Sequence, residues 1–289
     1  MSDTLQRFLF ERLGVRGELV QLAQSWRTVL ERRDYPPVIR RVLGEAMAAA
    51  GLLYATIKFD GQLTLQLQGG NGLLHLLLVQ CQADGTLRGL ARWHGEPAPA
   101  PLAQLCGGGT LVLTLESAKG ERYQGLVAIH GNNLAGALEE YFDRSEQLPT
   151  RLWLAADGER AGGLLLQRLP GQSRGDADGW NRIGMLAATL SEAELLGLDS
   201  GTLLRRLFHE EDLRLFEPQS LRFRCTCSRE RIEAVLRSLG GQELRALLSE
   251  RGKVGVDCEF CGQHYGFDAV DVEALLAAPG QPEVPTTRH

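Results

Sequence analysis

Two close pairs of cysteines constrain this chain more than any other feature. Cys225 and Cys227 stand as C-x-C in Phe-Arg-Cys-Thr-Cys-Ser-Arg, and Cys258 and Cys261 stand as C-x-x-C in Cys-Glu-Phe-Cys-Gly, thirty residues further on. Two close pairs separated by a short stretch have the arithmetic of a four-sulfur zinc site. In an extended segment, residues i and i+2 point to the same face, so Cys225 and Cys227 can offer both sulfurs to one ion. The C-x-x-C half suits a tight knuckle, and Gly262 supplies permissive backbone where the chain must turn. Four thiolates at roughly 2.3 Å fill a tetrahedral zinc and leave no position for a catalytic water. That leaves a structural staple, or a metal held by ligands that chemistry can remove. The bland alternative is two unrelated pairs of buried thiols. His264 is a possible substitute ligand, but with four cysteines present it reads as a residue shaping the knuckle.

Cysteine chemistry depends on compartment. The first residues, Met-Ser-Asp-Thr-Leu-Gln-Arg, lack the basic and apolar regions of a signal peptide. Apolar runs such as Leu73–Val79 fall far short of the roughly 20 residues that span a bilayer. A cytoplasmic location is expected, where thiols stay reduced and paired cysteines argue for metal binding or redox sensing. The net charge of −5 gives no electrostatic reason to bind nucleic acid. Between Gln219 and Leu276, eight Lys/Arg face nine Asp/Glu, fewer cations than a phosphate-tracking zinc ribbon needs. Arg222, Arg224, Arg229, Arg231, Arg251 and Lys253 flank the cysteines in sequence. They are expected to favour thiolates or to offset a negatively charged metal centre. A disulfide across C-x-C closes a very small, strained ring, a property that suits a reversible sensor more than a staple.

The fold class expected is α+β. Strands are expected from Thr4 to Glu11 and, with period two, from Leu63 through Trp93. Pro36-Pro37 opens a helix to about Leu53, and a hairpin over Arg151–Leu169 closes the region. This makes an N-terminal mixed sheet-and-helix core domain over 1–172. A helical linker follows over 173–218, with amphipathic stretches Trp180–Leu190, Ser191–Leu196, Ser200–Phe208 and Glu210–Phe216. Helices this short need another surface on which to dock. A small four-cysteine zinc domain occupies 219–277, with helices Arg229–Leu239 and Gln242–Ser249 between the cysteine pairs. Residues 278–289, rich in proline, are expected to be a disordered tail. Cys81 and Cys106 read as core residues. Gly107-Gly108-Gly109 lacks the Lys-Ser/Thr of a phosphate loop. His75, His94, His130 and His209 form no catalytic pattern, so no catalytic residues and no enzyme activity are expected.

Several stretches resemble one family, the redox-regulated bacterial heat-shock chaperones of the thirty-three-kilodalton, zinc-binding class. They include Leu5–Glu11, Val15–Val20, Leu87–Arg92, Tyr141–Thr150 and Gly163–Pro170, together with Phe223–Ser228 and Cys258–Gly262. The resemblance covers nearly the whole chain, and the cysteine spacing is its most specific part. It implies an ATP-independent holdase for unfolding proteins, inactive while Cys225, Cys227, Cys258 and Cys261 hold one Zn2+. It also implies that oxidation by hypochlorite, or by peroxide with mild unfolding, forms the disulfides Cys225–Cys227 and Cys258–Cys261. Metal loss, unfolding of the zinc domain and linker, and homodimerisation would follow. The exposed Leu, Met and Phe residues of the linker are the expected client surface. Two other readings compete with this one. A zinc-stapled nucleic-acid-binding protein is opposed by the charge balance. A dithiol oxidoreductase using Cys258–Cys261 is opposed by the complete ligand set and by the missing strand-to-helix context.

Overall fold

The computed structural model describes residues 3–56, 60–171, 176 and 178–277, and the chain divides into two compact units, Met1–Arg224 and Cys225–His289. The first unit begins with the hairpin β1 (Thr4–Phe10) and β2 (Val15–Leu22), then helices α1 (Gln24–Leu30) and α2 (Pro37–Thr56). Strands β3 (Gly61–Gly69), β4 (Leu74–Gln82) and β5 (Thr86–Trp93) form the expected meander. Helix α3 (Leu102–Cys106), strands β6 (Gly109–Ser117) and β7 (Arg122–Ala128) and helix α4 (Leu134–Tyr141) follow. The hairpin β8 (Thr150–Ala156) and β9 (Ala161–Arg168) comes next.

Helix α2 explains why these strands make two sheets. Thirteen of its twenty residues are buried, and a helix apolar on all sides needs cover on all sides. Leu5, Val20, Leu22, Leu152 and Leu165 reach it from the sheet of β1, β2, β9 and β8. Leu63, Leu65, Leu67, Leu77 and Val79 belong to the same core from the sheet of β5, β4, β3, β6 and β7. Small residues allow the close approach: a Cβ on Gly44 would lie 2.4 Å from that of Ala156. Pairing of β2 with β9 joins the first and last hairpins of the region.

The linker region continues through α5 (Gly179–Ala187), α6 (Glu192–Gly197) and α7 (Ser200–Phe208). These helices cover the other face of the β1–β2–β9–β8 sheet. Ile183, Ala187, Leu195, Leu203, Leu204, Leu207 and Phe208 pack there with Phe8, Phe10, Val15, Leu19, Leu164 and Leu166. The Phe208 ring stands edge-on to Phe10 at 5.1 Å. Polar ties add to the docking, with Gln21 Nε2 donating to Leu198 O at 2.7 Å and Arg160 Nη1 to Leu196 O at 2.7 Å. The Ser191–Glu194 capping box is present. Glu210–Phe216 departs from the helical expectation. Arg214–Leu215 is instead a strand, β10, and β11 (Gln219–Ser220) and β12 (Arg222–Phe223) follow it. Pro218 disfavours helix in the residue before it, and the edge of β1 supplies the partner that β10 and β11 use.

The second unit holds α8 (Arg229–Leu239), α9 (Gly241–Arg251), the hairpin β13 (Val254–Asp257) and β14 (His264–Phe267), and α10 (Ala269–Ala277). Its core cluster is small: Leu236, Leu244, Val254, Phe267, Val272 and Leu275. No helix among the described residues is long and apolar enough to cross a membrane. Part of the glycine-rich stretch after Gly171, and the tail expected over 278–289, lie outside the described residues.

Candidate metal centre

The tip of the β13–β14 hairpin is the knuckle that brings Cys258 and Cys261 together. Cys258 N donates to Gln263 O at 2.9 Å, and Gly262 N donates to Cys258 O at 2.7 Å. Gly262 has φ +70°, a left-handed conformation that glycine adopts without strain. Cys225 and Cys227 precede α8, whose first turn is capped by Ser228 accepting from Arg231 N. Arg231 Nη1 also donates to Thr226 O at 2.7 Å, holding the residue between the two cysteines.

The four sulfurs lie within 4.8 Å of one another. Cys225 Sγ is 3.6 Å from Cys258 Sγ, and Cys227 Sγ is 3.4 Å from Cys261 Sγ. A tetrahedral zinc with Zn–S near 2.3 Å has sulfurs about 3.8 Å apart, so these spacings suit such an ion. Among the described residues this is the only group of three or more His, Cys, Asp or Glu arranged to hold a metal. Cys258 is buried and the other three are half-buried, so solutes have a route to the sulfurs.

The electrostatics come from the cluster itself. Burial opposes ionisation of Cys225, but the Cys227 backbone N–H and the neighbouring sulfurs outweigh it, and its pKa falls from 9 to about 7. Cys258 and Cys261 are pushed upward, first by burial. Tyr265 on β14 donates its hydroxyl to Cys227 Sγ at 3.1 Å. That bond, ahead of burial, raises the Tyr265 pKa to about 12, so it remains a donor at neutral pH.

Most of the six flanking cations have partners outside the cysteine cluster. Arg222 and Arg224 pair with Asp84 at 3.1 and 3.7 Å. Arg229 pairs with Asp271 at 2.9 Å and lies over the Phe267 ring. Arg251 lies near Glu250. Carboxylates thus lie against four of the six, Arg222, Arg224, Arg229 and Arg251, while Arg231 stays at the C-x-C segment through Thr226 O. His264 points its Nδ1 to Asp257 Oδ1 at 2.7 Å and stays outside the sulfur cluster. Tyr265 is the functional residue that sequence reasoning missed. Its only signal was its place four residues after Cys261, on the returning strand of the knuckle.

Cys81 and Cys106 are fully buried in the core of the first unit, where burial raises their pKa values to about 12 and about 11. Neither belongs to the four-sulfur group.

Comparison with known proteins agrees with this arrangement. The family model described as Hsp33 protein matches residues 3–268. The chain is 52% identical over 287 residues to the 33 kDa chaperonin of Nitrosococcus oceani, covering 99% of each chain. It is 50% identical over 294 residues to the 33 kDa chaperonin of Azotobacter vinelandii, again covering 99% of each. The crystal structure of the 33 kDa chaperonin from Thermotoga maritima shares its fold, with a TM-score of 0.80, 23% identity, and coverage of 95% of this chain and 98% of that one.

Proposed function

This chain belongs to the Hsp33 family and is a chaperone, and we propose that its four clustered cysteines form a zinc-holding switch that turns client binding on under oxidative stress. The family is one of chaperones, not enzymes, and binding of non-native client proteins follows from it. One observation carries the reading: all four sulfurs converge within 4.8 Å in a unit whose core cluster is six residues. In the reduced state Cys225, Cys227, Cys258 and Cys261 are the ligands of one Zn2+, which supplies a cross-link that the small unit's own core cannot replace.

Oxidation forms Cys225–Cys227 and Cys258–Cys261, the pairing carried by the family resemblance. Each disulfide removes two electrons from its two sulfurs. One hypochlorite accepts them and becomes chloride and water. The sulfurs then lie outside metal coordination, and residues 219–277 lose the cross-link that holds them folded. The linker, residues 173–218, then leaves the sheet on which α5–α7 pack, and its apolar residues and that sheet face become available to clients. The oxidised chain is read as an ATP-independent holdase that forms homodimers. The cytoplasm is the matching location, because thiols there stay reduced until stress intervenes. Nucleic acid is not a partner in this reading, a conclusion that the near balance of charge over Gln219–Leu276 supports.

Zinc-loaded protein treated with hypochlorite should release zinc, lose four thiols and begin to suppress client aggregation over the same oxidant range. Retained zinc alongside full activity would sink the proposal. Cys227→Ser should bind zinc at least about tenfold more weakly and show activity without oxidation, the outcome for a lost metal ligand. Unchanged affinity and regulation would remove Cys227 from the ligand set.

A further inference from the structure

Residues 214–224 form a strap across one edge of each sheet. β10 runs antiparallel to β1 with Phe8↔Leu215 and Leu9↔Arg214 in register, and β11 follows with Thr4↔Ser220 and Leu5↔Gln219. β12 then crosses to the other sheet and pairs parallel with β5 at Arg222↔Thr86 and Phe223↔Leu87. Phe216 N to Arg7 O (3.0 Å), Leu221 N to Asp3 O (3.1 Å), Arg222 N to Gly85 O (3.1 Å) and Arg224 N to Leu87 O (3.2 Å) complete the attachment. Pro218, which has no N–H to give, sits between β10 and β11, a position tolerated at a sheet edge.

The strap is held by its backbone. Residues 214–220, Arg222 and Arg224 are exposed, and Leu221 alone is buried, at 5% exposure. The Leu221 side chain enters a slot between α2 and the β4–β5 turn. Cβ atoms added to Gly51 and Gly85 would stand 3.5 and 3.7 Å from its two methyl carbons. Beside this slot lies a cleft of about 450 Å3, lined by Leu5, Arg7, Tyr54, Asp84 and Gln219 among others. The ionic clamp of Arg222 and Arg224 on Asp84 is solvent-exposed and adds little. The strap ends at Arg224, one residue before the first metal-site cysteine.

We propose that when the strap leaves, the outer edges of β1 and β5 receive an extended segment of a non-native polypeptide by strand addition, with one aliphatic side chain in the Leu221 slot. The inference rests on the chaperone reading above and specifies a main-chain site separate from the apolar face under α5–α7. An open strand edge is a template for any extended chain. Apart from Phe223, half-buried against the same core, the strap's own hold asks of its occupant little beyond a free backbone and one aliphatic residue. An unfolded protein offers unpaired N–H and C=O groups along its length, whereas a folded one has nearly all of its buried groups paired. The edge therefore selects for unfoldedness itself and is indifferent to the client's identity.

A photo-crosslinking residue placed at Thr4 or Leu9, both on β1, tests this in the full zinc-loaded chain. Gln68 on β3, exposed but on a strand paired on both sides, serves as the control position. Two probes are used: a chemically unfolded globular protein and a synthetic peptide with the sequence of residues 214–224. Both should form adducts at Thr4 and Leu9 after hypochlorite treatment, not before it, and not at Gln68. A peptide carrying Leu221→Ser should bind about tenfold more weakly, the loss expected from one buried aliphatic side chain. Absence of adducts at both β1 positions, or equal labelling at Gln68, overturns the edge site. Zinc release and aggregation suppression, measured on the same samples, report on the redox reading separately. Adducts at β1 in a protein that fails to suppress aggregation after oxidation would keep the edge site and remove the oxidative-activation reading.

Discussion

Tyr265 joins the knuckle strand to the cysteine cluster through a single hydrogen bond to Cys227 Sγ at 3.1 Å. If Cys227 is a ligand as proposed, a donor to its sulfur disperses its charge and fixes its orientation, and outer-shell partners of this kind commonly contribute 10- to 100-fold in metal affinity. Tyr265→Phe is therefore expected to weaken zinc binding about tenfold and to speed zinc release by oxidant, read in competition with a chromophoric chelator. Identical affinity and release rate would show the hydroxyl to be a bystander. A different residue-scale test lies in the core of the first unit. Glu18 is 3% exposed, and its Oε2 has no hydrogen-bond partner. Burial raises its pKa from 4.5 to about 7, against the pull of Arg16 and Arg7. The folded state thus holds this proton more tightly than the unfolded state does. The associated stability is fully present below pH 4.5 and is lost as pH rises to about 7, on the order of 3 kcal/mol in all. Glu18→Gln should flatten that portion of the stability–pH curve. Tryptophan fluorescence reports on this unit selectively, because Trp26, Trp93, Trp153 and Trp180 all belong to it. A variant that keeps the wild-type slope between pH 4.5 and 7 would contradict the assignment.

At the scale of elements, α5, α6 and α7 depend on the sheet beneath them. None exceeds nine residues, too short to be stable alone in water. Phe208 anchors this packing against Phe8 and Phe10. Phe208→Ala should remove about 3–5 kcal/mol from the docked arrangement. The variant is expected to suppress client aggregation while reduced and still zinc-loaded. A reduced variant with no such activity would mean that linker release is not part of the switch. These helices were legible in the sequence because capping residues and apolar spacing are local signals, as at Ser191–Glu194. The cysteine cluster was legible for the same reason, since its spacing is its chemistry. β10, β11 and β12 left no trace, because two-residue strands have no period and exist only where β1 and β5 offer an edge. The pairing of β2 with β9 joins residues more than 130 positions apart, which no local pattern reports. Arg222 and Arg224 were misread for a related reason: a cation's partner is chosen in three dimensions, and theirs is Asp84.

At the scale of the molecule, the two units differ in what keeps them folded. The first is built around α2 and an extensive apolar core drawn from both sheets. The second has a six-residue core cluster and four converging sulfurs. A structural zinc contributes about 10–16 kcal/mol to folding, as much as or more than the 5–15 kcal/mol stability of a typical domain. Loss of the metal should accordingly unfold the second unit and leave the first standing. In the switch proposed above, the four cysteines serve as both the fastening and the sensor, because the groups that would hold the ion are those an oxidant consumes. Hydrogen exchange followed by mass spectrometry, on zinc-loaded and hypochlorite-treated chain, tests this claim most directly. Oxidation is expected to abolish protection over α8–α10 and over α5–α7, while α2 and β3–β6 keep theirs. Protection that survives oxidation in α8–α10, or is lost equally in α2, would contradict it.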